Sequence, residues 1–422
     1  MNRISLLHVP LLSIILCACS VSKPAATVAE TDCLAPYRSG KLTEYTLYQI
    51  DAQDFPVFPK GVEPVYDIVF ARHGSRYLDG RDSYSAMMGL LAEAENNRCL
   101  TAKGEALLNW YRLIYPAVKG HEGQLTQKGR EQHRSISQSI GRWLHPLFAA
   151  KPNVRIATST TQRVIDSQES FVDGLTRVHP NVQGIGPVDT TEILHVHNRW
   201  DLEEPCAGIY NQYQKSRIDI PEFIGRFFTQ PDLPARYFGD SYNFIRVLRN
   251  LLADLYSLDQ EIPDGWQEIL NDGDYAAIHD IQSTYTQLLL GRSGISDNYG
   301  LNWYRDTWQW IADNTRADLA TDSIAAGLYF SHDILIDNLL AVLQIESFGD
   351  DTAPIEAIAA SYPLSAVPMA SNLQLCICRD HQTGELVVYP LLNGRSAKVK
   401  GLRQMRQGAY RWSEVENRMR FF

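Results

Sequence analysis

The sequence predicts an α/β protein, a mostly parallel sheet flanked by helices with a smaller inserted helical cap domain. Three observations carry that expectation. Residues 65–71, 154–158 and 324–330 are short runs that are apolar on both faces, as buried parallel strands are. Each gives way to a polar loop and then to a segment with helical spacing, so strand, loop and helix alternate. Between about 176 and 320 the strand pattern disappears and helical patterns take over, broken by Asp-, Pro- and Gly-rich turns.

Taken in order, residues 65–71 form the first strand and end at Arg72-His73-Gly74. A helix opens at Leu125-Thr126 and carries Ile136, Ile140, Trp143, Leu144 and Leu147 along one side. The strand at 154–158 runs through Ser159-Thr160-Thr161-Gln162 into a helix starting near Arg163, with Val164, Phe171, Val172 and Leu175 on one face. Within the insertion, 244–256 and 275–290 are the clearest helices. The strand at 324–330 precedes a helix over 334–343, and strands at 373–378 and 385–391 flank a His381-Gln-Thr-Gly384 hairpin turn. The core is therefore expected to comprise 33–175 plus 321–422, and the cap 176–320.

With 45% hydrophobic and 21% charged residues in a chain of 422, disorder, collagen-like repeats and coiled coil are excluded. A net charge of −10 opposes general nucleic-acid binding, so an anionic ligand must be held by a local group of arginines. Beyond the N-terminus no run of 18 or more apolar residues occurs, and no membrane span is expected there.

Residues 1–18 read as an export signal: Arg3 at the start, then an apolar stretch ending in Leu16-Cys17-Ala18-Cys19-Ser20. That ending resembles the lipobox of bacterial lipoproteins, which implies lipidation of Cys19 and, with Ser20 following, outer-membrane sorting. Residues 19–32 then form a tether, and this lipid anchor is the expected membrane contact. The seven cysteines lie at 17, 19, 33, 99, 206, 376 and 378; Cys376 and Cys378 share one strand face, and one or two disulfides of open pairing are expected.

The strong chemical features lie where strands end, which is where open α/β sheets bind ligands. In Arg72-His73-Gly74-Ser75-Arg76, two guanidinium forks bracket an imidazole, and the glycine lets the backbone turn tightly. Such forks bind phosphate oxygens in pairs, and a neutral histidine between them can attack phosphorus. Equal-frequency counting gives Arg-His-Gly-x-Arg a chance of roughly 0.3% in a chain this long.

These residues resemble the signature of the histidine phosphatase superfamily, in its acid-phosphatase and phytase branch. Further motifs of that family follow in order: Leu125-Thr126-x-x-Gly129-x-x-Gln132, Ser159-Thr160-x-x-Arg163 and His332-Asp333. The resemblance implies a phosphoglycerate-mutase-like core and phosphomonoester hydrolysis through a phosphohistidine, with no cofactor and no metal. By the same resemblance His73 is the nucleophile and Asp333 the proton donor, while Arg72, Arg76, Arg163 and His332 form the phosphate pocket. The partner is a small phosphorylated substrate, and inositol polyphosphates such as phytate come first, because Arg-His-Gly-Ser-Arg-Tyr, Met369-Ala370-Ser371-Asn372 and Leu391-Leu392-Asn393 look like the multiple inositol polyphosphate phosphatase group. His332-Asp333-Ile334 departs from the His-Ala-Glu usual in that group, which leaves other phosphomonoesters as the alternative substrates.

Other readings compete. A phosphoglycerate-mutase-like transferase would use the same chemistry on cytosolic metabolites, against the export signal. A silent lipoprotein that binds phosphorylated ligands needs neither His73 nor Asp333. Asp333 could simply cap the helix behind it. His279-Asp280 is expected on a solvated helix face, and His195 and His197 as two loop histidines in place of a metal site.

Overall fold

The computed structural model describes Tyr45 and residues 55–80, 84–196 and 201–422. The export signal, the tether, Cys19, Cys33 and His197 lie outside the described residues.

One sheet of ten strands organises the molecule. β1 (Val62–Arg72), β2 (Asn153–Thr158) and β5 (Ile324–Ser331) are the three strands read from sequence. β5 lies between β1 and β2 and is parallel to both. Two short strands, β3 (Gln183–Gly184) and β4 (Asp189–Thr190), add to β2, also in parallel.

On the other side of β1 the sheet is antiparallel, so the whole is mixed. β6 (Asn372–Asp380) pairs with β1, and β7 (Leu386–Leu392) returns along β6 through the expected hairpin. β8 (Arg395–Ser396), β9 (Gln404–Arg406) and β10 (Ala409–Arg411) complete this half. A turn of a few residues joins β6 to β7, a connection that only antiparallel neighbours allow, whereas the parallel strands are linked by long crossovers.

Alternation along β1 divides its side chains between two cores. Tyr66, Ile68 and Phe70 face one cluster with Trp308, Leu335 and Leu339; Val69 and Ala71 face the other with Ile136, Val154 and Phe171. The first core is covered by α6 (Cys206–Arg217), α10 (Asp272–Leu290), α11 (Arg305–Thr321), α12 (Asp333–Leu343) and α14 (Trp412–Phe421). α3 (Gln127–Trp143), α4 (His145–Ala150) and α5 (Gln162–Val178) cover the second.

The helix expected to continue through Leu147 breaks at Leu144, where α3 ends and α4 begins. Pro146 cannot donate the next helical hydrogen bond and disfavours helical backbone at His145, although the apolar spacing runs on across the break.

A third cluster joins α1 (Tyr84–Asn96) and α2 (Ala102–Val118) to α7 (Ile220–Gly225), α8 (Leu233–Phe238) and α9 (Ser241–Asp254). Two helices that precede β2 thus share a core with helices from the 176–320 region. His279, expected on a solvated face, is buried, since α6, α9 and α13 (Ile358–Ser361) pack around α10; Asp280 pairs with Arg217. Among the described residues Cys99, Cys206, Cys376 and Cys378 are free and buried, with the last two sulfurs 3.9 Å apart.

Candidate active site

β1, β2 and β5 point the same way, so their carboxyl ends share one edge, and each delivers one of the motifs there. The His73 amide donates to the Ser331 carbonyl at 3.0 Å, its carbonyl accepts from Ala370 N at 2.9 Å, and Ser159 N donates to the Phe330 carbonyl at 3.0 Å. Strand ends and the segment before β6 therefore grip the loop that bears His73.

The Leu-Thr-x-x-Gly-x-x-Gln motif holds the same loop from below. Thr126 caps α3 by accepting from Gly129 N and donates its hydroxyl to the Ser75 carbonyl at 2.9 Å. Gln132 accepts from Ser75 N at 2.9 Å. A Cβ on Gly129 would lie 2.3 Å from the Ser75 carbonyl oxygen, and one on Gly74 2.5 Å from the Gly129 oxygen, so both glycines permit one close crossing. Ser167, which no motif includes, accepts from Gly74 N at 3.1 Å.

The imidazole of His73 is buried, with Nδ1 2.9 Å from the Gly74 carbonyl. Donation there places the lone pair on Nε2, the nitrogen free to attack. Burial, followed by the charges of Arg163, Arg72, His332 and Arg76, holds this histidine well below the usual imidazole range. The His332 ring meets it edge to face at 5.4 Å and is likewise pushed down by burial and by Arg163.

The three arginines surround this pair. Arg72 donates through Nη1 to the Val367 carbonyl at 2.6 Å and through Nη2 to Asp333 at 2.9 Å. Arg76 is held by the Tyr77 carbonyl at 2.8 Å. Burial opposes the charge of Arg76, yet Tyr45, Asp254, Asp79 and Asp333 outweigh it. Arg163 is lowered to about 10 by burial and by neighbouring Arg76. Three guanidinium groups gathered at one strand edge can seat an anion.

Asp333 begins α12, where Ile334 N donates to its carboxylate at 3.0 Å. Burial favours its neutral form, but Arg72, His332 and Arg76 win and keep it below the ordinary carboxylate range. An anion on the arginines would weaken those attractions and return a proton to Asp333.

All six residues read from sequence as site residues, His73, Asp333, Arg72, Arg76, Arg163 and His332, meet at this edge. Two further groups stand here, one that escapes sequence reading and one that is read there only as a loop histidine. Asp254, at the end of α9, is raised to about 8 by burial against the pull of Arg76, and Tyr84 donates to it at 3.4 Å. His195 stands at the rim of the site, with Nδ1 3.3 Å from Ser159 Oγ and its ring 6.2 Å from that of His332. The loop position is the one read from sequence; its nearness to Ser159 and His332 is not legible there.

No protein-family model matches the chain, and no curated protein does. Solved structures do. The Bifidobacterium longum multiple inositol polyphosphate phosphatase with inositol hexasulfate superposes with a TM-score of 0.71 at 15% identity, over 90% of this chain and 97% of that one. The fold is that of the inositol polyphosphate phosphatases and phytases. Phytases from D. castellii (TM-score 0.64, 14% identity, 90% of this chain and 84% of that chain) and Citrobacter braakii (0.58, 12%, 85% and 97%) share it.

Proposed function

We propose that the chain is a phosphomonoester hydrolase that works through a phosphohistidine on His73. The observation that carries this reading is a buried imidazole ringed by three guanidinium groups, which with burial favour its neutral form, and with a carboxyl group beside it. Arg72, Arg76, Arg163 and His332 seat the phosphoryl oxygens and offset the charge that develops on them. His73 Nε2 forms a bond to phosphorus as the phosphorus–oxygen ester bond breaks. The departing alkoxide takes the proton of Asp333, help typically worth about 10²–10⁴-fold in rate. Water then attacks phosphorus, its proton passes to Asp333, and the phosphorus–nitrogen bond breaks to release phosphate.

Inositol polyphosphates are the first substrates to assay, since the structural neighbours include a multiple inositol polyphosphate phosphatase and phytases. Other monoesters are the second reading, favoured by His332-Asp333-Ile334, which departs from the His-Ala-Glu usual in the multiple inositol polyphosphate phosphatase group. The N-terminal sequence supports export, removal of residues 1–18, and a lipid on Cys19 that anchors the enzyme at the outer membrane. Labelling with a radioactive fatty acid, lost in Cys19→Ala, tests that location.

Phosphate release in the presence of a chelator tests the activity. His73→Ala is expected to abolish turnover, and trapped ³²P-phosphohistidine should vanish with it. Asp333→Asn is expected to lose about 10²-fold or more on alkyl phosphates and far less on 4-nitrophenyl phosphate, whose leaving group scarcely needs a proton. Equal losses on both would make Asp333 a structural residue in the first turn of α12 and nothing more.

A further inference from the structure

Arg76 belongs to a segment, 76–78, that is held from two sides. On one side lies the turn at 123–125: Tyr77 N donates to the Gln124 carbonyl at 3.0 Å, and Gly123 N donates to the Leu78 carbonyl at 2.8 Å. On the other, Leu78 N donates at 3.0 Å to the hydroxyl of Tyr84, the first residue of α1. Having accepted there, the hydroxyl turns its own hydrogen to a further acceptor, and Asp254 Oδ2 stands at 3.4 Å. Tyr84 is fixed in turn, because Tyr111 of α2 donates to its carbonyl at 2.8 Å.

Asp254 is the last residue of α9 and is buried where α9 shares a core with α1 and α2. Burial and the negative end of a helix both oppose a carboxylate at such a place. The strongest pull the other way is the charge of Arg76. One short chain of groups, Asp254, Tyr84 and Leu78, therefore leads from the helical part of the molecule to the backbone that carries a phosphate arginine. A guanidinium fork binds phosphate oxygens in pairs only while its plane is held, and a misplacement of about 1 Å is enough to lose much of that binding.

We propose that Tyr84 and Asp254 are positioning residues of the phosphate seat: they fix segment 76–78 from the side of the helices and aim the Arg76 guanidinium at the transferring phosphate. This rests on the hydrolase reading above and extends it to a pair that no motif includes. Their effect on substrate passes through Arg76. Without the Tyr84 hydroxyl the Leu78 amide would lose its acceptor in a buried place, and the segment would shift to find another.

The test uses the full chain, with 4-nitrophenyl phosphate as substrate and inorganic phosphate as competing ligand. Tyr84→Phe removes the hydroxyl and Asp254→Leu removes its acceptor. Each should raise KM and the phosphate Ki by about 10-fold, the scale of one hydrogen bond to a charged partner, and lower kcat by less. Asp254→Asn, which still offers Tyr84 an acceptor, should recover most of the loss. In an Arg76→Ala background Tyr84→Phe should add less than about 2-fold, because the residue it acts through is gone. Lower urea midpoints with unchanged KM and Ki would overturn the proposal and leave the pair as packing alone. A comparable rise in Ki that persists without Arg76 would overturn it too. Calorimetry with phosphate reads the same coupling without turnover, so a wild-type chain as inactive as His73→Ala would overturn the hydrolase reading while the phosphate affinities still decide this one.

Discussion

In the proposed mechanism His73 and Asp333 need opposite protonation states in the first step, and their surroundings act on each. The nucleophile must be neutral; because burial and the guanidinium groups lower its pKa, it stays neutral well below the ordinary imidazole range. The acid must be protonated, yet in the free enzyme Arg72 favours its charged form. With alkyl substrates kcat/KM should therefore keep rising as pH falls through 7 toward 5, with no loss near 6.5 from protonating His73. In Asp333→Asn that rise should disappear, and a pH–rate series on both proteins checks it. Had the imidazole been solvated, the profile would instead fall below about 6.5.

Among the elements, the meeting of α3 with the loop after β1 decides how well the nucleophile is held. The Leu-Thr-x-x-Gly-x-x-Gln motif has a physical reading here: Thr126 and Gln132 supply hydrogen bonds, and Gly129 supplies space. Gly129→Ala should cost about 1–3 kcal/mol by overpacking against Ser75 and lower kcat more than it raises KM, as urea titration and steady-state kinetics would show. A variant with wild-type stability and kcat would mean that the loop is not clamped. The three strands and the arginines at their ends were legible in sequence because each stands in a short local pattern. Asp254 was not, since it reaches Arg76 from a helix some 180 positions along the chain. Nor was Ser167, one polar residue within an amphipathic helix, nor the break at Leu144, where the hydrophobic spacing masks the stop.

For the whole molecule the central sheet matters most, and it buries an unexpected carboxyl group. Asp67 lies inside β1, fully enclosed, with Gln374 as hydrogen-bond partner at 3.1 Å, and burial raises its pKa to about 7. The folded protein holds that proton where the unfolded chain has released it above about 4. Its contribution is therefore complete below pH 4 and is lost as pH climbs to about 7, at up to ~1.4 kcal/mol per unit. Asp67→Asn should gain on the wild type across that interval. Urea midpoints at pH 5 and pH 7 test this, and a constant difference between the proteins would refute it. Sequence concealed Asp67 because one carboxylate among Tyr66, Ile68, Val69 and Phe70 hardly disturbs an apolar run.

The neighbours of β1 have a consequence in time. Asp67 pairs with Ala326 on one side and Cys376 on the other, each more than 250 positions downstream. His73 is thus made early by the ribosome, yet the strand before it has bare edges until nearly the whole chain has emerged. Contacts so distant close slowly, and exposed strand edges invite association meanwhile. The site is consequently among the last parts of the protein to mature, and a chain cut short before residue 372 would carry His73, Asp333 and the three arginines and still lack the strand that flanks β1.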